Sequence, residues 1–276
     1  MARPEAHAPV DLVVNCFERT YRDVLSPAWF HGVEGDNLRR FEMRTALVNN
    51  VADRADAEAR AAERIEAGDL DRVVFVDDRR AAALARTGLT GSDLEPYPQF
   101  SDWALVAVTL DGPDLVLHWD ADVRLREPVD WLGPALELMA EDARVLAANP
   151  DWQRSNVEDF TLEERGPFAL GHGFSDQVFL ARRSELGAPV YGQRCLARWR
   201  YPFPETFEAR VDAYLRHAGR LRAVHRGATY LHPVEMGTSW PVRSVRRRAR
   251  LAAQHLAIDA LRRTPAALRP RHLRCL

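Results

Sequence analysis

The chain has 276 residues, 46% of them hydrophobic, which suits the core of one large domain or of one domain with an appendage. Its formal net charge is -2, no run approaches the ~18–20 apolar residues of a membrane span, and the opening MARPEAHAPVDL lacks the apolar centre of a secretory signal. Cys16, Cys195 and Cys275 stand far apart, which argues against a disulfide framework or a zinc site and fits a reducing cytoplasm. All 38 basic residues are arginine, and their distribution is uneven. Residues 242–276 hold ten arginines against the single acid Asp259, a charge of +9, which leaves -11 on the rest. The acidic body excludes a general nucleic-acid-binding surface, and the asymmetry sets the tail apart. The expected division is therefore 1–241 as the folded domain and 242–276 as a basic amphipathic helical tail.

In chain order, DLVVNCF (11–17) reads as a buried strand and ERTYRD as a polar loop. TALVNN (45–50) is a second strand. Asp53 is an N-cap for RADAEARAAERIEAG, a helix that Gly68 closes. DRVVFVDD (71–78) is a third strand, and AAALARTG a short helix. SDWALVAVTLDG (101–112) is helical, with Ser101 or Asp102 as cap and Gly112 as stop. DLVLHW (114–119) is a fourth strand. This alternation predicts an α/β layer with a largely parallel sheet, whose ligands sit beyond the carboxyl ends of the strands. Further on, VDWLGPALELMAEDA contains a helix, RVLAANP a strand, and FSDQVFLARRSEL a strand entering a helix. ETFEARVDAYLRHAG (205–219) is a helix with Phe207, Val211, Tyr214 and Leu215 on one face. GRLRAVHRGATYLHP contains one or two short strands. The segment from Val245 is helical, with Arg243, Arg246, Arg247, Arg248 and Arg250 on a basic face and a stripe made mostly of alanine.

LVLHWDADVRL (115–125) carries the chemistry. If the chain stays extended, Asp120 and Asp122 project to one side of the sheet end. Two carboxylates that close raise each other's pKa unless a positive charge lies between them. A divalent cation answers that need, and hard oxygen ligands favour Mg²⁺ or Mn²⁺ over zinc. The pattern alone is weak, since Asp69-Leu70-Asp71 repeats it in what reads as an inert turn.

Over about residues 11–233 the chain resembles GT-A fold nucleotide-sugar glycosyltransferases of the broad family 2 type. DLVVNCFERTY resembles the first strand and loop that touch the nucleotide. LVNNVAD resembles the second strand, whose acidic end holds base and ribose. LVLHWDADVRL resembles the strand bearing the metal-binding DxD, FPETFEARVDAYLRHAG (203–219) the helix that begins with a Glu-Asp pair, and ATYLHP the late strand ending in a metal-ligand histidine. Two departures stand out. Asn49-Asn50 replaces a carboxylate pair, and the Glu-Asp pair reads Phe207-Glu208 when aligned through Ala218-Gly219.

The resemblance implies a GT-A type fold, a Rossmann-like central mixed, mostly parallel sheet flanked by helices, followed here by the basic C-terminal helix. It implies an enzyme that uses Mn²⁺ or Mg²⁺ to move a sugar from a UDP- or GDP-linked donor to an acceptor hydroxyl, with inversion. Asp120, Asp122 and His232 would hold the metal. Cys16, Phe17, Glu18, Asn49, Asn50, Asp53 and Asp120 would meet the nucleotide. Glu208 would be the base, with Glu205 its competitor three residues earlier, and the helix dipole would favour the ionised form. Trp119, Asp176, Gln177 and Trp240 are candidate acceptor contacts, with core packing the plainer role for Trp119. The basic tail could dock on the acidic body or touch the inner membrane face, which places the protein in the cytoplasm or at that surface. A haloacid-dehalogenase-like phosphatase is the enzymatic rival, weakened by Arg124 at the fifth motif position and by the absence of lysine. A nucleotide-binding module without turnover is the non-enzymatic rival.

Overall fold

A computed structural model describes residues 8–153, 157–193, 195–201 and 203–232, together with 253, 256 and 260. The boundary expected at 241/242, Trp240 and nearly all of the basic tail lie outside the described residues. Ala253, Leu256 and Ala260 are helical and exposed. No helix among the described residues is long and apolar enough to cross a membrane.

The first strand, β1 (Val10–Cys16), is buried along its whole length. That is the mark of a central strand covered on both faces. Short helices α1 (Tyr21–Val24) and α2 (Trp29–Asp36) lead to β2 (Met43–Val48). Helix α3 (Arg54–Glu66) starts where the Asp53 carboxylate accepts the Asp56 N–H, and buries Ala57 and Ala61 one turn apart. Strand β3 spans only Arg72–Phe75, because Val76, Asp77 and Asp78 form the first turn of α4 (Val76–Thr87) instead of extending the strand. Carboxylates are stabilised at a helix N-terminus, and Asp78 also receives two bonds from the Arg54 guanidinium. Helix α5 (Asp102–Thr109) is apolar all round and buried from Asp102 to Val108. It ends before Gly112; Ser101 holds the cap position without a side-chain cap bond, and the Asp102 carboxylate accepts the Trp103 N–H at 2.8 Å.

Strand β4 (Leu115–Asp120) pairs parallel to β1, as β1 does to β2 and β2 to β3. A two-residue strand, β5 (Arg124–Leu125), precedes α6 (Leu132–Glu141), β6 (Val145–Trp152), β7 (Thr161–Arg165) and β8 (Phe168–Gly171). Then come β9 (Val178–Arg182), α7 (Arg183–Leu186), α8 (Phe207–Ala218) and β10 (Leu221–Leu231). The sheet order is β3-β2-β1-β4-β9-β6-β10-β8-β7. Its N-terminal half is parallel; β9 is inserted antiparallel between β4 and β6. The segment 221–231 forms one long strand, not two short ones, and accommodates an irregularity in its pairing with β6 between His225 and Thr229. Helices cover both faces, and two apolar layers, one on each side of the sheet, make the core.

Candidate functional site

The carboxyl ends of β1, β2 and β4 open into a cavity of about 330 Å³. Asp120 closes β4, and its neighbour across the pairing is Asn15 of β1, whose Nδ2 donates to Asp120 Oδ1 at 2.9 Å. The extended geometry does not continue to Asp122. The Val123 N–H returns to the Asp120 carbonyl at 3.0 Å, so Asp122 sits in a turn. Convergence comes from the sheet instead. β5 pairs antiparallel with the end of β10, Arg124 opposite Leu231, and that register sets His232 beside Asp122. His232 Nε2 lies 3.4 Å from Asp122 Oδ1. Oxygens of Asp120 and Asp122 and a ring nitrogen of His232 all fall within 4.8 Å of one another. His232 is buried, and its Nε2 has no hydrogen-bond partner among the described residues. A hard divalent cation fits two carboxylates and an imidazole nitrogen so arranged.

Glu208 approaches from α8. Phe207 anchors that helix: it is fully buried against Phe174, Phe179 and Tyr191. The Phe207 N–H, one of the unpaired donors of the first turn, is accepted by Ser101 Oγ at 2.9 Å. Ser101 thus ties the start of α8 to the start of α5, and Glu208 lines the cavity with Thr206. Glu205 lies in the turn before the helix and does not line the cavity. Its carbonyl accepts from Arg210 Nε.

Electrostatically the cavity is unusual. Asp120, Asp122, Asp176 and Glu208 all line it, and none meets an arginine at ion-pair distance among the described residues. Burial chiefly pushes the Asp120 carboxyl up to about 8, with the charge of Asp122 adding to the rise and Asn15 and His232 opposing it. Burial and the charge of Asp120 push Asp176 up to about 8. Glu208 stands well above the usual carboxylate range, through burial first and then the charges of Asp176 and Asp212, with Arg222 opposing. Desolvation therefore outweighs the helix dipole that was expected to keep Glu208 ionised. Under Asp120, His118 is buried between Trp103 and Phe179, with ring centroids 4.6 and 5.0 Å away, and burial lowers its pKa to about 3.

The remaining sequence candidates divide. Phe17, Asn49, Asn50, Asp176 and Gln177 line the cavity. The Cys16 side chain does not: it is fully buried in the core, on the face of β1 opposite Asn15. Glu18 accepts the Ala52 N–H at 2.7 Å and closes the loop after β2, outside the cavity lining. Asp53 is occupied as the α3 cap. Trp119 is fully buried and donates to the Val123 carbonyl, so it braces the turn carrying Asp122 and presents no face to an acceptor. Sequence reasoning passed over Asn15, Arg19, Gln99, Phe100, Trp103 and Thr206. The segment 97–103, with its proline and aromatics just before a helix, was the one legible sign of a second cavity wall.

No protein-family model matches the chain, and no curated protein is similar to it in sequence. Among solved structures it is similar to glucosyl-3-phosphoglycerate synthase from Mycobacterium tuberculosis in complex with Mn²⁺, UDP and phosphoglyceric acid. That match is 17% identical, covers 91% of this chain and 78% of the other, and has a TM-score of 0.44. It is also similar to GalNAc-T7 with UDP, GalNAc and Mn²⁺, at 11% identity, 83% and 44% coverage and a TM-score of 0.49. Likenesses this distant carry no argument about chemistry, which has to come from the residues around the cavity.

Proposed function

We propose that the protein is a metal-dependent glycosyltransferase of the GT-A type, moving a sugar from a nucleoside-diphosphate donor to an acceptor hydroxyl with inversion. One observation carries the reading. In a chain whose acids are widely paired with arginine, four carboxylates converge on one cavity with no arginine at ion-pair distance among the described residues, and two of them stand beside a buried histidine whose Nε2 has no hydrogen-bond partner among those residues. Such a site is short of positive charge, and Mn²⁺ or Mg²⁺ held by Asp120, Asp122 and His232 would supply it, neutralising diphosphate oxygens of the donor. Asn49 and Asn50, at the end of β2, carry amides suited to base or ribose; Asn49 is buried and its Oδ1 has no partner among the described residues. Glu208 would accept the proton of the attacking hydroxyl, and a pKa raised by burial brings its basicity nearer to the working pH. Asp176 and Gln177 would orient that hydroxyl.

Calorimetric titration with UDP and GDP, each with and without Mn²⁺, tests the reading. Metal-linked binding of one nucleotide, lost in Asp122→Asn, is the expected outcome, together with Mn²⁺-dependent loss of sugar from the matching nucleotide-sugar. Binding with no sugar loss, across varied acceptors, would make the protein a binding module. Absence of any metal-linked nucleotide binding would remove the transferase reading.

A further inference from the structure

The sugar-nucleotide reading leaves a charge to be matched. A nucleoside diphosphate carries more negative charge than one divalent ion cancels, and the cavity walls add carboxylates rather than cations. Among the described residues lining the cavity, Arg19 is the one basic side chain. It sits in the turn after β1. The turn is fixed by its own bonds, Thr20 N–H to the Phe17 carbonyl at 2.8 Å and Phe17 N–H to Thr20 Oγ1 at 3.0 Å. The backbone is held, while the Arg19 side chain is exposed. Its guanidinium lies 5.4 Å from the ring centroid of Phe17, which itself lines the cavity. Nearby arginines are engaged: Arg22 meets Glu18 and Asp56, and Arg54 meets Glu58 and Asp78. Arg19 meets no carboxylate among the described residues, although four line the same cavity.

We propose that Arg19 is the protein's own counter-charge for the donor diphosphate, reaching from the Phe17 ring to phosphate oxygens in the cavity. This rests on the reading above. A guanidinium presents a planar fork that matches phosphate oxygens, and lies readily on an aromatic face. In the absence of phosphate, Phe17 holds the fork at the mouth of the cavity. As the sugar–phosphate bond breaks, the electron pair goes to the departing diphosphate oxygen, and its negative charge grows. An arginine in contact therefore stabilises the leaving group more than the intact donor. Arg19 is thus assigned to binding of the nucleoside diphosphate and to departure of that group, and has no part in proton transfer.

The test is binding of UDP and GDP in Mn²⁺ to the full-length wild type and to Arg19→Gln and Arg19→Lys. For the nucleotide that binds, Arg19→Gln is expected to weaken affinity roughly ten-fold, the loss of one charge-assisted hydrogen bond. Arg19→Lys should lose less, and the gap should narrow as salt is raised. Because the side chain is exposed, the thermal midpoint should stay at the wild-type value. An Arg19→Gln protein that binds nucleotide like the wild type, or whose loss is insensitive to salt, overturns the assignment and leaves the transferase reading standing. A wild-type protein that binds neither nucleotide overturns both.

Discussion

Glu208 and Glu205 are three residues apart, and geometry separates them. Glu208 is on the cavity wall with its carboxyl raised by burial; Glu205 is in the preceding turn, outside it. Glu208→Gln should therefore lower turnover of a nucleotide-sugar by ~10²–10⁴-fold, the usual worth of a general base, with nucleotide affinity little changed. Glu205→Gln should turn over like the wild type. Steady-state rates of the two variants decide it: equal losses would move the base elsewhere. The carboxylates Asp120, Asp122 and Glu208 were visible in the sequence because charge at the end of an apolar strand, or in the first turn of a helix, is conspicuous. Cys16 and Asn15 were not separable. Both faces of a central parallel strand are buried, so alternation does not say which side chain looks into the cavity. Only the pairing of Asn15 with Asp120 tells.

The helices and strands show what periodicity resolves and what it misses. Helix α3 was legible from Asp53 to Gly68, since cap, alanine-rich interior and terminating glycine agree; Gly68 has φ 75°, the left-handed region that glycine enters freely. The cap role has a consequence. Asp53→Ala should cost about 1 kcal/mol of stability through the lost cap, read as a lower denaturant midpoint, while nucleotide affinity stays at the wild-type level. A fall in affinity without loss of stability would return Asp53 to the nucleotide site. The boundary between β3 and α4 was misjudged because Val76 suits a strand as well as a helix, and the two aspartates after it act through the dipole rather than through hydrophobic pattern. Strand β5 is too short to leave any pattern, yet its two residues set His232 beside Asp122. The closeness of His232 to Asp122 thus depends on a pairing that only the folded sheet reveals.

Across the whole molecule, buried charge is handled in opposite ways at the two ends of the sheet. At the start of β1, fully buried Asp11 is met by Arg72 and Arg183, at 2.7 and 2.6 Å, and by Thr45. At the end where β1 and β4 finish, Asp120 and Asp176 meet no arginine among the described residues, and burial pushes both carboxyls up to about 8. Their raised values have a definite sign. The folded protein keeps protons that the unfolded chain releases above about pH 4, so this contribution to stability is fully present below that pH and is lost as pH rises through about 8. His118 works the other way: its lowered pKa of about 3 adds stability as pH rises towards its ordinary value of 6.5. Between pH 6.5 and about 8 the lowered pKa of His118 no longer contributes, while Asp120 and Asp176, with the raised Glu208 beside them, lower stability as pH rises. In that window the thermal midpoint of the metal-free protein should fall with rising pH, and Asp120→Asn should flatten the fall. Added Mn²⁺ binds the ionised carboxylates, so the upward shift it causes should grow with pH over the same window. Thermal unfolding followed by circular dichroism, with EDTA and with Mn²⁺, measures both trends. A metal-free midpoint that stays level from pH 6.5 to about 8, or a Mn²⁺ shift that ignores pH, would mean that the two carboxylates are neutralised from within the protein, and the case for a cation between them would be lost.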